Sequence, residues 1–330
     1  MNRRLVLASL LLSVLPATGC RTEGQGAAVE VTVPAGSPFV AVVDSLSARG
    51  LVDQPLLFRV YARVRGAESQ VRSGRYAFRT GDGWARILDD MVAGRVMTVA
   101  MTIPEGFTLR QIAPRVAALS EASEDSVQQA FRAADVESVY EVPGPGLEGY
   151  LFPDTYRFAA GTPVRAVLDA MTDRYRAFWT PERRARLAAL EMSERELVTL
   201  ASIVQAEARR PDEMPSIASV YHNRLERGWR LEADPTVLYA LGGPRARLLY
   251  AAIDSVADHP YNTYRQAGLP PGPIGAPGEA ALDAALHPAQ EPYLFFVARP
   301  DGYHTFTRTL SEHNRAKAEA QRAFRERRPS

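Results

Sequence analysis

The sequence predicts an α+β protein in two parts: a small α+β region, followed by a mainly helical domain that carries a short β-hairpin. Three observations predict this. Early in the chain, β-rich runs recur ahead of Gly or Pro turns and helix-period segments. Around residue 200, a helix-period segment has clear start and stop signals. Late in the chain, Tyr293 to Ala298 and Tyr303 to Thr307 are two β-rich runs joined through Arg-Pro-Asp-Gly.

The elements follow in order. Residues 1–20 read as a lipoprotein-type signal peptide. A short basic start precedes an apolar run, Leu5 to Ala17, which is shorter than the roughly 20 residues a bilayer span needs. The run leads to Cys20, the sole cysteine, which has no partner for an internal disulfide. Its setting after small residues resembles a lipidation box. Ordinary signal cleavage and an uncleaved anchor are the alternatives. All three place the remaining chain outside the cytoplasm, and lipidation would hold it at the cell membrane, facing the periplasm or cell wall.

Residues 21–28 form a polar linker. Val29, Val31 and Val33 alternate as a strand does, with Ser37 as N-cap, Pro38 as first helical residue and Gly50 as stop. "SGRYAFRTGDGWARILDDMVAGRV" and "VMTVAMTIPEGFTLRQIAPRVAAL" repeat the strand–turn–helix order. These units delimit the small region at 29–112. Residues 113–145 read as a helical connector, and 146–330 as the main domain.

Several classes of function are excluded at this level. With 46% hydrophobic residues and a formal net charge of +1, the chain has core-forming capacity and no bulk field for nucleic acid. No P-loop, dinucleotide fingerprint or G-x-S-x-G elbow occurs. The five histidines lack zinc-site spacing, so neither metal nor cofactor is expected. Lys317, the only lysine, reads as a compositional bias toward arginine.

"LVTLASIVQAEARRP" holds the sharpest feature. Leu197, Leu200, Ala201, Val204 and Ala208 form a helical apolar stripe, and Glu207 falls on it. Ser193 with Glu196 makes a capping box. Pro211 ends the helix near Arg210. Burial and the negative end of the helix dipole both disfavour the Glu207 anion. A carboxyl kept protonated near neutral pH can serve as a general acid. The alternative is a structural carboxylate paired with Arg209, Arg210 or Arg224.

"LEGYLFPDTYRF", "LVTLASIVQAEA", "IASVYHNRLERGWRLEADPTVLYALG", "YNTYRQAGLPPGPI", "HPAQEPYLFFVA" and "HTF", in this order, resemble the endolytic murein transglycosylase family (YceG-like). The resemblance implies a LysM-like first region and a catalytic second domain. It implies that Glu207 is the single acid/base, matching the second glutamate of an "ASIVEKE"-type helix; Gln205 replaces the first. Glu232 is a smaller departure, where the family often has Gln. The implied reaction cuts the MurNAc-β-1,4-GlcNAc bond of nascent peptidoglycan strands and leaves a 1,6-anhydroMurNAc end. Implied partners are glycan polymerases and penicillin-binding proteins.

Beside Glu207, the candidate substrate-binding residues are Glu148, Asn223, Arg224, Asn262 and Tyr264. Each has a structural alternative: a loop carboxylate, a helix-to-helix hydrogen bond or a packed loop. Asp234 reads as an N-cap ahead of Pro235. His304 reads as structural or cleft-lining. A non-catalytic glycan-binding scaffold is the competing function. A true hydrolase using Glu148 as second carboxylate is a third.

Overall fold

The computed structural model describes residues 23–326 except 134, 244, 246 and 247. The signal-peptide and Cys20 expectations lie outside these residues. Among the described residues, no helix is long and apolar enough to cross a membrane. The chain divides into two compact units, with the division between Thr98 and Val99.

The first unit pairs β1 (Ala28–Val33) antiparallel with β2 (Gly74–Arg79), running from Ala28 opposite Arg79 to Val33 opposite Gly74. Alternation sends Val31, Val33, Tyr76 and Phe78 inward. They meet α1 (Phe39–Ala48), α2 (Pro55–Val64) and α3 (Trp84–Ala93) in one core. Gly94 ends α3 in the left-handed conformation, at φ 67°. The start of α1 differs by one residue from the sequence reading. Pro38 itself is the extended N-cap and Ser37 makes no cap bond to the helix through its side chain.

In the second unit β3 (Thr98–Thr102) pairs with β4 (Thr155–Ala159). This corrects the 29–112 boundary, which placed β3 in the first region. A strand's partner is set by tertiary pairing, and β3 finds it over fifty residues downstream. The segment read as a helical connector, 113–145, is helical and packs into the main core: it holds α5 (Glu124–Phe131), α6 (Val136–Tyr140) and all but the first turn of α4 (Leu109–Ser120). Their Ile112, Val116, Val127 and Phe131 are buried in the main core.

After β4 come α7 (Val164–Phe178) and α8 (Pro181–Ala189), then α9 (Glu194–Glu207) and, past a 3-10 turn, α10 (Met214–Glu226). Then follow α11 (Asp234–Ala240), α12 (Tyr250–Asp254) and α13 (Glu279–Leu286). The hairpin β5 (Phe295–Ala298) and β6 (His304–Thr307) sets Phe295 opposite Thr307. The final helix, α14 (Leu310–Glu326), packs on that hairpin.

The helix α9 runs through the centre of this unit, against α10, α11 and α13. Its capping box is formed: Ser193 Oγ accepts from Glu196 N at 3.2 Å, and Glu196 Oε2 accepts from Ser193 N at 2.8 Å. Every residue from Leu197 to Val204 is buried, Thr199 and Ser202 included. The expected stripe is therefore a helix enclosed on all sides. Thr199 and Ser202 satisfy their hydroxyls on backbone carbonyls within the helix. Helical geometry stops at Glu207, three residues earlier than expected, because Ala208 is extended at ψ 124°.

Candidate active site

Glu207 is the residue at which α9 leaves the core. It is half-buried and lines a cavity of about 340 Å³. Its Oε1 accepts a hydrogen bond from the Tyr221 hydroxyl at 2.9 Å. Tyr221, on α10, is buried and sits edge-on to Phe296 of β5, with ring centroids 5.9 Å apart. Burial pushes the Glu207 carboxyl up to about 7. The Tyr221 hydrogen bond opposes this, the Asp234 charge adds to it, and the Arg224 charge opposes it. Among the described residues no arginine pairs with Glu207, which removes the structural alternative of an ion pair with Arg209, Arg210 or Arg224. Arg224 pairs with Glu232 instead, at 3.7 Å.

Around the acid, three loops and helices are locked by polar contacts. Arg224 is buried and donates from Nε to Leu294 O and from Nη1 to Leu231 O, both at 2.7 Å. Its guanidinium also lies over the Phe295 ring at 5.2 Å. Arg224 thus ties α10 to the hairpin and to the 230–232 segment. Asp234 does not cap α11, whose N-cap is Ala233. Its carboxylate instead accepts from the Tyr264 hydroxyl at 2.6 Å, and both residues line the cavity.

Of the six residues expected at the site, Glu207, Arg224 and Tyr264 line this cavity. The other three do not, and their side chains are engaged within the protein. Asn262 is fully buried. It donates to Ile253 O at 2.9 Å and Val256 O at 3.0 Å, and accepts from Tyr264 N at 3.1 Å. No surface remains for a sugar; Asn262 shapes the loop that presents Tyr264. Asn223 donates to Glu291 O at 2.7 Å and Tyr293 O at 2.8 Å, which holds the segment entering β5. Glu148 accepts from Leu109 N at 3.1 Å and from the Tyr239 hydroxyl at 3.0 Å. Gly149 beside it has φ 86°, and a Cβ there would overlap Pro273.

Other expectations resolve in the same way. Gln205 leaves the helix sideways and accepts from Gly278 N at 3.0 Å, a loop anchor. His304 is buried against Glu213, with Nδ1 2.9 Å from Oε2. Sequence reasoning missed Tyr221 and the wall formed by His313, Asn314 and Lys317 of α14. Nothing local marks α14, because its role comes from packing on the hairpin. Among the described residues, no cluster of His, Cys, Asp or Glu is arranged to hold a metal ion.

A mainly helical unit that sets Glu207, with its proton affinity raised by burial, on a polar cavity defines a class: a protein suited to acid/base chemistry. Comparison with known proteins narrows it. Residues 31–319 match the YceG-like family, and the chain belongs to that family. It is similar to the endolytic murein transglycosylase of Bacillus subtilis (strain 168), at 33% identity over 88% of this chain and 84% of that one. The Streptococcus pneumoniae (strain D39) protein of the same name is 29% identical over 88% of this chain and 58% of its own length. Among solved structures, a putative yceG-like protein from Listeria monocytogenes superposes with TM-score 0.60 at 31% identity, covering 88% of this chain and 99% of that one.

Proposed function

We propose that this chain is an endolytic lytic transglycosylase that cuts MurNAc-β-1,4-GlcNAc bonds within nascent peptidoglycan strands, with Glu207 as its single general acid and base. The observation that carries the proposal is the state of that carboxyl: held near pKa 7, bonded through one oxygen to Tyr221, and facing a cavity. Protonated Glu207 donates to the glycosidic oxygen as the bond to C1 breaks. The carboxylate so formed takes the proton of the muramyl C6 hydroxyl, whose oxygen attacks C1. The product end is a 1,6-anhydromuramyl group, and no water is consumed. A pKa close to ambient pH suits both steps. Tyr221 donates to the carboxylate and steadies the charged form between them.

Further parts belong to the proposal. Action outside the cytoplasm and attachment through a lipidated Cys20 rest on the N-terminal sequence; work beside glycan polymerases and penicillin-binding proteins and a LysM-like first unit rest on the resemblance. Digestion of purified, peptide-stripped strands by the chain lacking residues 1–20, with mass spectra of the new ends, tests it. Muramyl ends one water lighter than reducing ends, and absent with Glu207→Gln, are the expected result. Reducing ends would make it a hydrolase, with Asp234 and Glu232 the nearby carboxylates to question. Strand binding without cutting would favour the scaffold.

A further inference from the structure

Besides Tyr221 and Tyr264, six acidic or basic side chains line the Glu207 cavity: Glu207, Glu232, Asp234, Arg224, His313 and Lys317. Two carry a fixed positive charge, and they differ in what they can offer a ligand. Arg224 is buried, with Nε and Nη1 engaged by backbone carbonyls and its charge beside Glu232. Lys317 is exposed and has no ion pair or hydrogen bond among the described residues. All three of its donors are open to a ligand in the cavity. It is also the sole lysine among 39 basic residues. The composition made it look incidental, and the fold puts it on the cavity wall.

The rest of α14 fixes where that ammonium stands. Ala316 and Ala320 face inward, and His313 lies one turn before Lys317 on the same face. The His313 ring lies nearly parallel to Phe295, with centroids 5.3 Å apart and planes at 27°. Its Nδ1 is buried without a partner. Burial first, then the charges of Lys317 and Arg224, hold its pKa below the usual histidine value, so at neutral pH Lys317 is the sole unengaged cation on this wall among the described residues. Asp234 and Arg224 supply charges felt by Glu207, and Lys317 lines the same cavity from α14.

Resting on the proposed function, we infer that Lys317 is a specificity residue: its ammonium recognises a carboxylate on the muramyl sugar and so sets the register in which a strand is cut. The two sugars of the strand alternate, and their bonds to one another are similar. N-acetylglucosamine is neutral. N-acetylmuramic acid bears a 3-O-lactyl group, whose carboxylate is free on a peptide-stripped strand. On a peptide-bearing strand the lactyl carboxyl is an amide, and the stem peptide supplies carboxylates of its own. A flexible, rotatable ammonium suits either source, where a fixed guanidinium fork would be more restrictive.

The test compares the wild type with Lys317→Gln and Lys317→Arg on three substrates: peptide-stripped strands, peptide-bearing strands, and stripped strands whose lactyl carboxyls have been reduced to alcohols. Strand binding is read in parallel by calorimetry. The expected result is that Lys317→Gln raises KM about tenfold on stripped strands, the loss of one charge-assisted hydrogen bond. The kcat stays within about twofold, Lys317→Arg restores most of the affinity, and reduced strands bind all three proteins alike. An effect confined to peptide-bearing strands would assign the carboxylate to the stem peptide. Equal KM and affinity for wild type and Lys317→Gln on all substrates would overturn the inference while leaving the transglycosylase reading intact. Binding without cutting, still weakened by Lys317→Gln, would overturn the enzymatic reading and leave the carboxylate subsite standing. A chain that neither cuts nor binds would overturn both.

Discussion

Two regions of the second unit hold a glutamate in nearly the same electrostatic state. Glu207 and Glu148 are both pushed up to about 7, in both cases chiefly by burial. Each accepts a tyrosine hydroxyl, from Tyr221 and from Tyr239. Only the surroundings separate them. Glu207 lines a cavity and keeps one oxygen without a hydrogen-bond partner among the described residues. Glu148 has both oxygens engaged, one at the start of α4 and one at Tyr239 of α11. A raised pKa supplies a proton at neutral pH; an oxygen open to a ligand is what lets the proton be used. The same distinction sorts Tyr264 from Asn262 and Lys317 from Arg224.

The comparison can be broken in several places. The largest effect expected is on activity: Glu207→Gln lowers the cutting rate by about 10²–10⁴-fold, the usual contribution of a general acid/base. Release of muropeptide fragments, followed by chromatography, measures it. Asn262→Ala is expected to cost on the order of 3 kcal/mol, because two carbonyls and the Tyr264 N–H lose their partner in the interior. Urea melts read that loss. A weakened KM with unchanged stability would instead restore Asn262 as a ligand contact.

Stability offers the next contrast. Folded Glu207 binds its proton more tightly than the unfolded chain does. Its ionisation therefore destabilises the fold as pH rises from about 4.5 to about 7. Glu207→Gln stays neutral throughout. It should be more stable than the wild type by on the order of 2 kcal/mol at pH 8, the Glu207 shift discounted for its half-exposed setting. The two proteins should converge at pH 4. Thermal melts at both pH values check this, and equal Tm values at pH 8 would deny the strain at the site. Tyr221→Phe removes a hydrogen bond that favours the Glu207 anion. It should move the falling limb of the pH–activity profile upward and lower activity about tenfold. The smallest effect is expected from Glu148→Gln, within about threefold of wild-type activity.

Much of this was legible before the fold was known. The capping box of α9, the hairpin and Glu207 carry local signals: side-chain spacing, turn residues and periodicity. What was not legible depends on contacts distant in sequence. The partner of β3 is β4, which no local pattern announces. Asp234 sits where an N-cap belongs, and only the Tyr264 hydroxyl across the loop reveals another use. The amides Asn223 and Asn262 have the right chemistry for a glycan, but backbone carbonyls engage the first and burial encloses the second. Tyr221 carries no local mark of its role: its ring is buried, and its hydroxyl reaches Glu207. The α14 wall, with Lys317, exists because the hairpin brings the end of the chain back to the acid.

The most direct measurement of the central claim is the pH dependence of kcat/KM for the wild type and for Glu148→Gln on peptide-stripped strands. Two carboxyls are pushed up to about 7, and the proposal makes Glu207 the one that governs the reaction. The account predicts that activity falls as pH rises through about 7 in both proteins, because Glu207 is unchanged in each. Loss or displacement of that limb in Glu148→Gln, with the protein folded, would contradict the account and make Glu148 the acid.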